Sequence, residues 1–231
     1  MPGKTEFTAA PFIPPHPTLQ SLKAAASGCQ GCPLYERATQ TVFGEGPARA
    51  KIIFVGEQPG DQEDLQGKPF VGPAGRLLDQ ALEEAEIDRR MVYVTNAVKH
   101  FKWQSRGKRR IHQKPTGLEI SACHPWLEAE LAVIHPEVVV ALGATAAQSL
   151  MGPKFRVTKE RGVFFPHSQA RWFMATIHPS ALLRMPEPQK RREEYQLFVN
   201  DLRRIRTKVA QTPQNAETQP MAGAVPRPRR N

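Results

Sequence analysis

The chain has 231 residues, 40% of them hydrophobic, with a formal net charge of +10. That is enough for one domain of ordinary size with a buried core. No apolar run approaches the roughly 20 residues a membrane span needs, and the start, MPGKTEFTAAPFIPPHP, lacks the charged block and apolar stretch of a secretory signal.

Residues 1–17 read as a flexible leader, 18–208 as one domain and 209–231 as a disordered basic tail with four prolines among its last twenty or so residues. A helical pattern over 18–40 is broken at Gly28-Cys29-Gln30-Gly31-Cys32-Pro33. Lys51–Val55 predicts a buried strand ending at Gly56, followed by a Gly/Pro-rich loop to Gly75. Leu77, Leu78, Ala81, Leu82 and Ala85 share one face of a helix over 75–86. Val92–Thr95 predicts a strand, then comes a basic loop, then a helix near 116–134. Glu137–Leu142 is another buried strand, turning at Gly143 into a helix to Leu150. Strands near 163–165 and 172–176 precede His178, and a charged helix runs from about Pro188 to Lys208. Continuously apolar strands alternating with helices predict an α/β fold with a mainly parallel sheet covered by helices on both faces. Ligands of such sheets bind beyond the carboxyl ends of the strands. Three loops qualify: 56–75, 96–115 and 178–184.

The positive charge is not spread evenly. Residues 99–114 hold seven Lys or Arg and no acid, and residues 202–231 hold seven against one Glu, which leaves the rest of the chain at −3. Focused charge of this kind points to phosphate backbones. Lys108, Arg109 and Arg110 suit a phosphate-binding loop; His112, at the end of the KRRIH run, needs another explanation or is one more backbone contact.

The three cysteines, Cys29, Cys32 and Cys123, are an odd number and argue for a reducing compartment rather than a disulfide framework. A cytoplasmic location follows. Cys29-x-x-Cys32 is a short-range chelating pair, Cys123 lies far along the chain on a helix, and His100 is the best fourth ligand by spacing. Three Cys and one His suit zinc or an iron–sulfur cluster, and composition does not choose between them.

Four segments then carry a recognisable pattern: GEQPGDQED at 56–64, GKPFVGPAGRLLD at 67–79, TNAVKH at 95–100 and HPSALLR at 178–184. Over roughly residues 20–205 the chain resembles the uracil-DNA glycosylase superfamily, and within it the iron–sulfur branch called family 4. That branch usually reads GEGPG in the first loop and has a cysteine where His100 stands. Gln58, His100 and the KRRIH insertion resemble instead the UdgX branch.

The resemblance implies a three-layer α/β/α fold around a central, mainly parallel, four-stranded sheet, and a 4Fe-4S cluster held by Cys29, Cys32, His100 and Cys123, structural and near the DNA-binding face. It implies a pocket for a flipped-out uracil. Phe70 would stack on the base. Asn96 would match its edge, where the reversed donor–acceptor pattern of cytosine clashes. Gln58 and the backbone amides from Gly56 onward would bond the carbonyls. His178 would stabilise charge developing on uracil O2. Glu57 would stabilise the sugar cation or orient a nucleophile. In the last loop, Leu182 would wedge into the duplex while Ser180 and Arg184 meet phosphate, beside Lys108, Arg109 and Arg110. In the UdgX branch the histidine ending KRRIH is the nucleophile, so His112 would attack the sugar C1′ and leave the protein bonded to the abasic site.

The expected partner is therefore uracil-containing DNA, single- or double-stranded. A monomer is expected, with no membrane. Two rivals stand beside this reading: a turnover glycosylase that uses KRRIH only as a basic clamp, and a metal-containing nucleic-acid-binding module without chemistry.

Overall fold

The structure is a computed structural model that describes residues 7–211. Its elements, in chain order, are α1 (Leu19–Ala26), β1 (Ile52–Gly56), α2 (Asp61–Gln66), α3 (Pro73–Glu84), β2 (Val92–Asn96), β3 (Trp103–Arg106), β4 (Arg109–His112), α4 (Gly117–Ile134), β5 (Val138–Leu142), α5 (Ala144–Met151), α6 (Val157–Glu160), β6 (Phe164–His167), β7 (Ala170–Thr176), α7 (Pro179–Leu183) and α8 (Pro188–Ala210).

The main sheet runs β2-β1-β5-β7-β6. β2, β1, β5 and β7 are mutually parallel, and β6 pairs antiparallel with β7. The sheet thus has five strands, not the four that the resemblance implies, and the fifth, β6, overlaps the strand read from sequence near 163–165. Only Ser168 and Gln169 separate β6 from β7, and a connection that short permits only an antiparallel hairpin.

Neighbouring residues of each strand face opposite layers. Ile52 and Phe54 pack with Leu78, Leu82, Phe198 and Leu202 from α3 and α8. Ile53 and Val55 pack with Leu127, Leu131 and Ala146 from α4 and α5. The chain therefore forms the three layers that its unbroken apolar strands predict. A third cluster joins α1, Trp126 and the three cysteines.

Four local expectations change. The 56–75 segment is not all loop, because α2 and the start of α3 lie within it. The basic loop is a two-stranded hairpin, β3 against β4, turning at Gly107 with φ +61, a backbone conformation natural to glycine. Residues 7–17 pack on the domain rather than forming a free leader: Ala9 is buried and its N–H donates to the Ala122 carbonyl. At the other end α8 carries the fold to Ala210, into the segment assigned to the tail; residues 1–6 and 212–231 lie outside the described residues.

Because the four strands are parallel, Gly56, Asn96, Leu142 and Thr176 all end on one side of the sheet. The loops after them meet there.

Candidate active site

The floor of the site is where β1 and β2 end. Gly56 is in register with Asn96, and a Cβ on Gly56 would collide with Asn96 Oδ1 and come within 2.9 Å of the Phe70 ring. Three residues from three segments therefore converge only because one of them has no side chain. Asn96 is buried, and among the described residues nothing hydrogen-bonds its side-chain amide. Phe70 sits at φ +57, an unusual conformation for a large side chain, with Gly75 packed directly on its carbonyl.

His178 forms one wall. Its ring lies 6.2 Å from that of Phe70, tilted by 26°. The Ser180 N–H donates to His178 Nδ1 over 3.1 Å. That leaves the neutral ring's proton on Nε2. Burial lowers the pKa to about 4, Arg184 and His112 push the same way, and only Glu57 opposes. His178 is therefore neutral at pH 7, with an Nε2–H to donate. The Ser180 hydroxyl bridges His178 Nδ1 and Arg184 Nη1, at 2.8 and 3.1 Å, so Ser180 supports these two residues.

Leu182 is not available as a wedge. It is 1% exposed and belongs to the core, whereas Leu183 is 45% exposed beside Arg184. Adjacent helical residues point about 100° apart, and α7 turns Leu182 inward against α3 and α8.

The hairpin closes the other side. His112 Nε2 lies 3.3 Å from Glu57 Oε1, and Thr145 at the start of α5 donates its hydroxyl to Glu57 Oε2. Burial would raise the Glu57 pKa, but the His112 and Thr145 hydrogen bonds and the charges of His112 and Lys114 outweigh it and hold it below the usual carboxylate range. The half-exposed His112 ring also lies 6.2 Å from the buried Phe101 ring.

Two residues expected to touch ligand hold this hairpin instead. Gln58 accepts from the Lys102 N–H over 3.1 Å and donates to the Lys102 and Gln113 carbonyls at 3.3 and 3.0 Å. Its side chain clamps the two strands at their stem rather than reaching the base pocket. Arg110 donates to Asp61 Oδ1 over 2.6 Å and to Asp64 Oδ2 over 2.5 Å, with Thr39 Oγ1 at 3.1 Å. In this structure it latches the hairpin to α2, its guanidinium already paired with the two carboxylates.

Lys99 and Lys102 are likewise paired, with Glu130 and Glu119. Of the seven cations in the run, Arg106, Lys108 and Arg109 are exposed at the hairpin tip, and Lys114 acts on Glu57. Asp61, Asp64, Thr145 and Lys114 were not singled out from sequence. For the two aspartates the available signal was their three-residue spacing, which puts both on one face of a short helix.

Cys29, Cys32 and Cys123 are buried in one cluster. The Trp126 indole N–H donates to Cys29 Sγ over 3.2 Å, and the Lys99 N–H to Cys123 Sγ over 3.3 Å. Burial pushes the Cys123 thiol up to about 12, and Cys29 and Cys32 push it the same way. The Thr41 hydroxyl donates to the Ala26 carbonyl over 2.8 Å and meets His100 Nε2 at 2.9 Å. With its one proton so engaged, Thr41 accepts from Nε2–H, and the lone pair of His100 falls on Nδ1. Burial lowers the His100 pKa to about 4, which keeps that lone pair free. Hydrogen bonds to the sulfurs and a fixed imidazole tautomer suit a metal's surroundings, although among the described residues no three His, Cys, Asp or Glu side chains are drawn into ligating positions.

Residues 43–203 match the uracil DNA glycosylase superfamily. The chain is 42% identical over 165 residues to a type-4 uracil-DNA glycosylase of Thermotoga maritima, covering 71% of this chain and 82% of that protein. It is 37% identical over 185 residues to the type-4 uracil-DNA glycosylase of Sulfurisphaera tokodaii, covering 77% and 81%, and 35% identical over 188 residues to that of Archaeoglobus fulgidus, covering 78% and 88%. The chain belongs to the uracil-DNA glycosylase superfamily.

Proposed function

We propose that this protein excises uracil from DNA and then joins itself to the sugar through His112, as a member of the UdgX branch. The observation that carries the reading is the His112–Glu57 pair, 3.3 Å apart at the rim of the pocket. The flipped uracil lies between Phe70 and Asn96, whose amide offers one donor and one acceptor to the base edge. The C1′–N1 bond breaks, and its electron pair leaves on uracil. The Nε2–H of neutral His178 donates to O2, where that charge develops.

Ionised Glu57 faces the electron-poor sugar from the same loop. A ring nitrogen of His112 bearing a lone pair forms the new bond to C1′. The imidazolium so formed releases its ring proton to Glu57, and the product is a neutral N-glycosyl imidazole with no good leaving group. Gln58 and Arg110 hold the hairpin so that His112 arrives before water. Lys108 and Arg109 at its tip, with Arg184 and the exposed Leu183 across the pocket, meet the DNA backbone and stack.

Cys29, Cys32, Cys123 and His100 would hold a 4Fe-4S cluster. When bound it would be structural, and these residues would tie the loop after α1 and helix α4 to the strand end behind Asn96. The partner is uracil-containing DNA, and the protein acts as a monomer. Among the described residues no helix is long and apolar enough to cross a membrane.

The test uses wild type and His112→Ser with labelled uracil and thymine oligonucleotides, boiled in detergent and run on a denaturing gel. A uracil-dependent band of summed mass from wild type alone is expected. The same band from His112→Ser refutes the role of His112. Alkali-labile abasic product from wild type without any band supports the turnover glycosylase instead.

A further inference from the structure

A buried ion pair lies behind the base pocket, and the chemistry above does not use it. Lys99 and Glu130 have side chains 1% and 0% exposed, with Nζ and Oε2 2.5 Å apart. Such pairs stabilise a fold little better than apolar residues of the same volume, so the geometry around this one is informative. The three protons of Lys99 Nζ have three acceptors: Glu130 Oε2, Thr95 Oγ1 at 2.6 Å and the main-chain carbonyl of Asn96 at 2.9 Å. Glu130 in turn accepts from Tyr93 Oη at 2.8 Å, from Thr95 and from the Gly44 N–H.

The sheet explains the third bond. β2 is an edge strand. On its open side Val94 exchanges two 2.9 Å main-chain bonds with Glu45. Alternate residues of a strand bond to the same side, so the Asn96 carbonyl, two residues on, faces that same open edge, past the end of the Glu45 bridge. On the other side the Ala97 N–H donates to the Gly56 carbonyl. Lys99 Nζ stands where a neighbouring strand would otherwise donate. An apolar pair would fill the same space and leave that carbonyl unbonded.

We infer that Lys99, charge-balanced by Glu130, is a positioning residue that fixes the Asn96 peptide and so aims the Asn96 amide at the base. The proposal rests on Asn96 reading the base. Lys99 makes no contact with the substrate; it acts through Asn96 and sets how sharply uracil is told from cytosine.

The test uses the full chain and two oligonucleotides identical except for one nucleotide, 2′-fluoro-2′-deoxyuridine or its cytidine counterpart. The fluorine slows glycosidic cleavage, so binding is measured without reaction. The readout is the ratio of the two affinities, which does not change with the fraction of protein that is folded. Lys99→Met/Glu130→Gln removes both charges and keeps the acceptor for Tyr93 and Gly44. The ratio is expected to fall about tenfold, the scale of one well-placed hydrogen bond.

Asn96→Asp is the reference. If it abolishes discrimination while the double variant keeps the wild-type ratio, Lys99 has only a structural role and the proposal is overturned. If Asn96→Asp itself leaves the ratio unchanged, it is the base-reading role of Asn96 that fails. Should the double variant not fold, Lys99→Gln/Glu130→Gln, which keeps a neutral polar pair but with a side chain one atom shorter toward the Asn96 carbonyl, is expected to lower the ratio in the same direction, and an unchanged ratio overturns the proposal equally.

Discussion

Replacing Arg110 and replacing Arg109, its neighbour in the same basic run, should have opposite consequences. Arg110 donates to Asp64 Oδ2 over 2.5 Å and to Asp61 Oδ1 over 2.6 Å. The Asp61 side chain is half exposed, and an exposed ion pair contributes at most about 1 kcal/mol. Asp64 is fully buried. Arg110→Met would leave it with only the Thr39 N–H and hydroxyl as donors. Losing a charged hydrogen bond to a buried carboxylate costs about 1.5–3 kcal/mol. Methionine keeps some packing over Phe101 and Trp103, where the guanidinium now sits at 5.4 and 5.5 Å. The total is about 3 kcal/mol, which for a domain of this length lowers Tm by about 6–12 °C. Arg109 is exposed, and Arg109→Met should change stability by less than about 0.5 kcal/mol.

Calorimetry gives the first comparison. The salt dependence of single-turnover capture gives the second: Arg109→Met should lower the slope of log affinity against log salt by about 1. Arg110→Met should slow capture at every salt concentration, because a loosened hairpin no longer holds His112 against Glu57. If Arg110→Met keeps the wild-type Tm and behaves as a second Arg109→Met, the latch is refuted.

Three further outcomes follow from the site. Leu183→Ala should weaken capture from duplex and leave single strands unaffected, whereas Leu182→Ala should cost about 2–5 kcal/mol of stability by opening a core cavity; duplex and single-strand assays beside denaturation curves separate them. Gly56→Ala should abolish uracil excision, because the added methyl meets Asn96 Oδ1, with a stability loss of about 1–3 kcal/mol; a fully active variant would remove the floor from the pocket. His178 titrates near 4 in the folded protein against an ordinary 6.5, so the unfolded chain binds the extra proton first as pH falls. Stability should therefore decline by about 3 kcal/mol from pH 6.5 to 4 and this contribution should then level off, a dependence His178→Asn lacks; identical pH–stability curves for the two proteins would show that His178 is not held neutral.

The sheet was legible because β1, β2 and β5 are buried on both faces and read as unbroken apolar runs. The pocket residues were legible only through the resemblance of four loops, since nothing local marks Phe70 or Asn96 as converging on Gly56. The hairpin was not legible: β3 and β4 carry almost no apolar alternation, and they are held by Gln58, by Asp61 and Asp64 on Arg110, and by the Arg37 carbonyl on Trp103 Nε1 over 2.9 Å, partners far away in sequence. The same distance in sequence hid the role of Arg110. In a run of seven cations its charge looks like its neighbours', and only the position of Asp61 and Asp64 on α2 separates it from Arg109. Leu182 and Leu183 were ambiguous for a related reason, because a five-residue helix has too few turns to show which face is inward. The edge strand near 163–165 was legible as a strand, but its antiparallel pairing was not, because that direction is set by the two-residue turn at Ser168 and Gln169 rather than by any apolar pattern.

The account stands most directly on what remains attached to the protein after reaction. Intact mass spectrometry of wild type, incubated with a short uracil-containing oligonucleotide and denatured, should give protein plus oligonucleotide less one uracil, with the adduct mapping by peptide fragmentation to His112. Unmodified protein alongside free abasic oligonucleotide, or an adduct on any other residue, would contradict it.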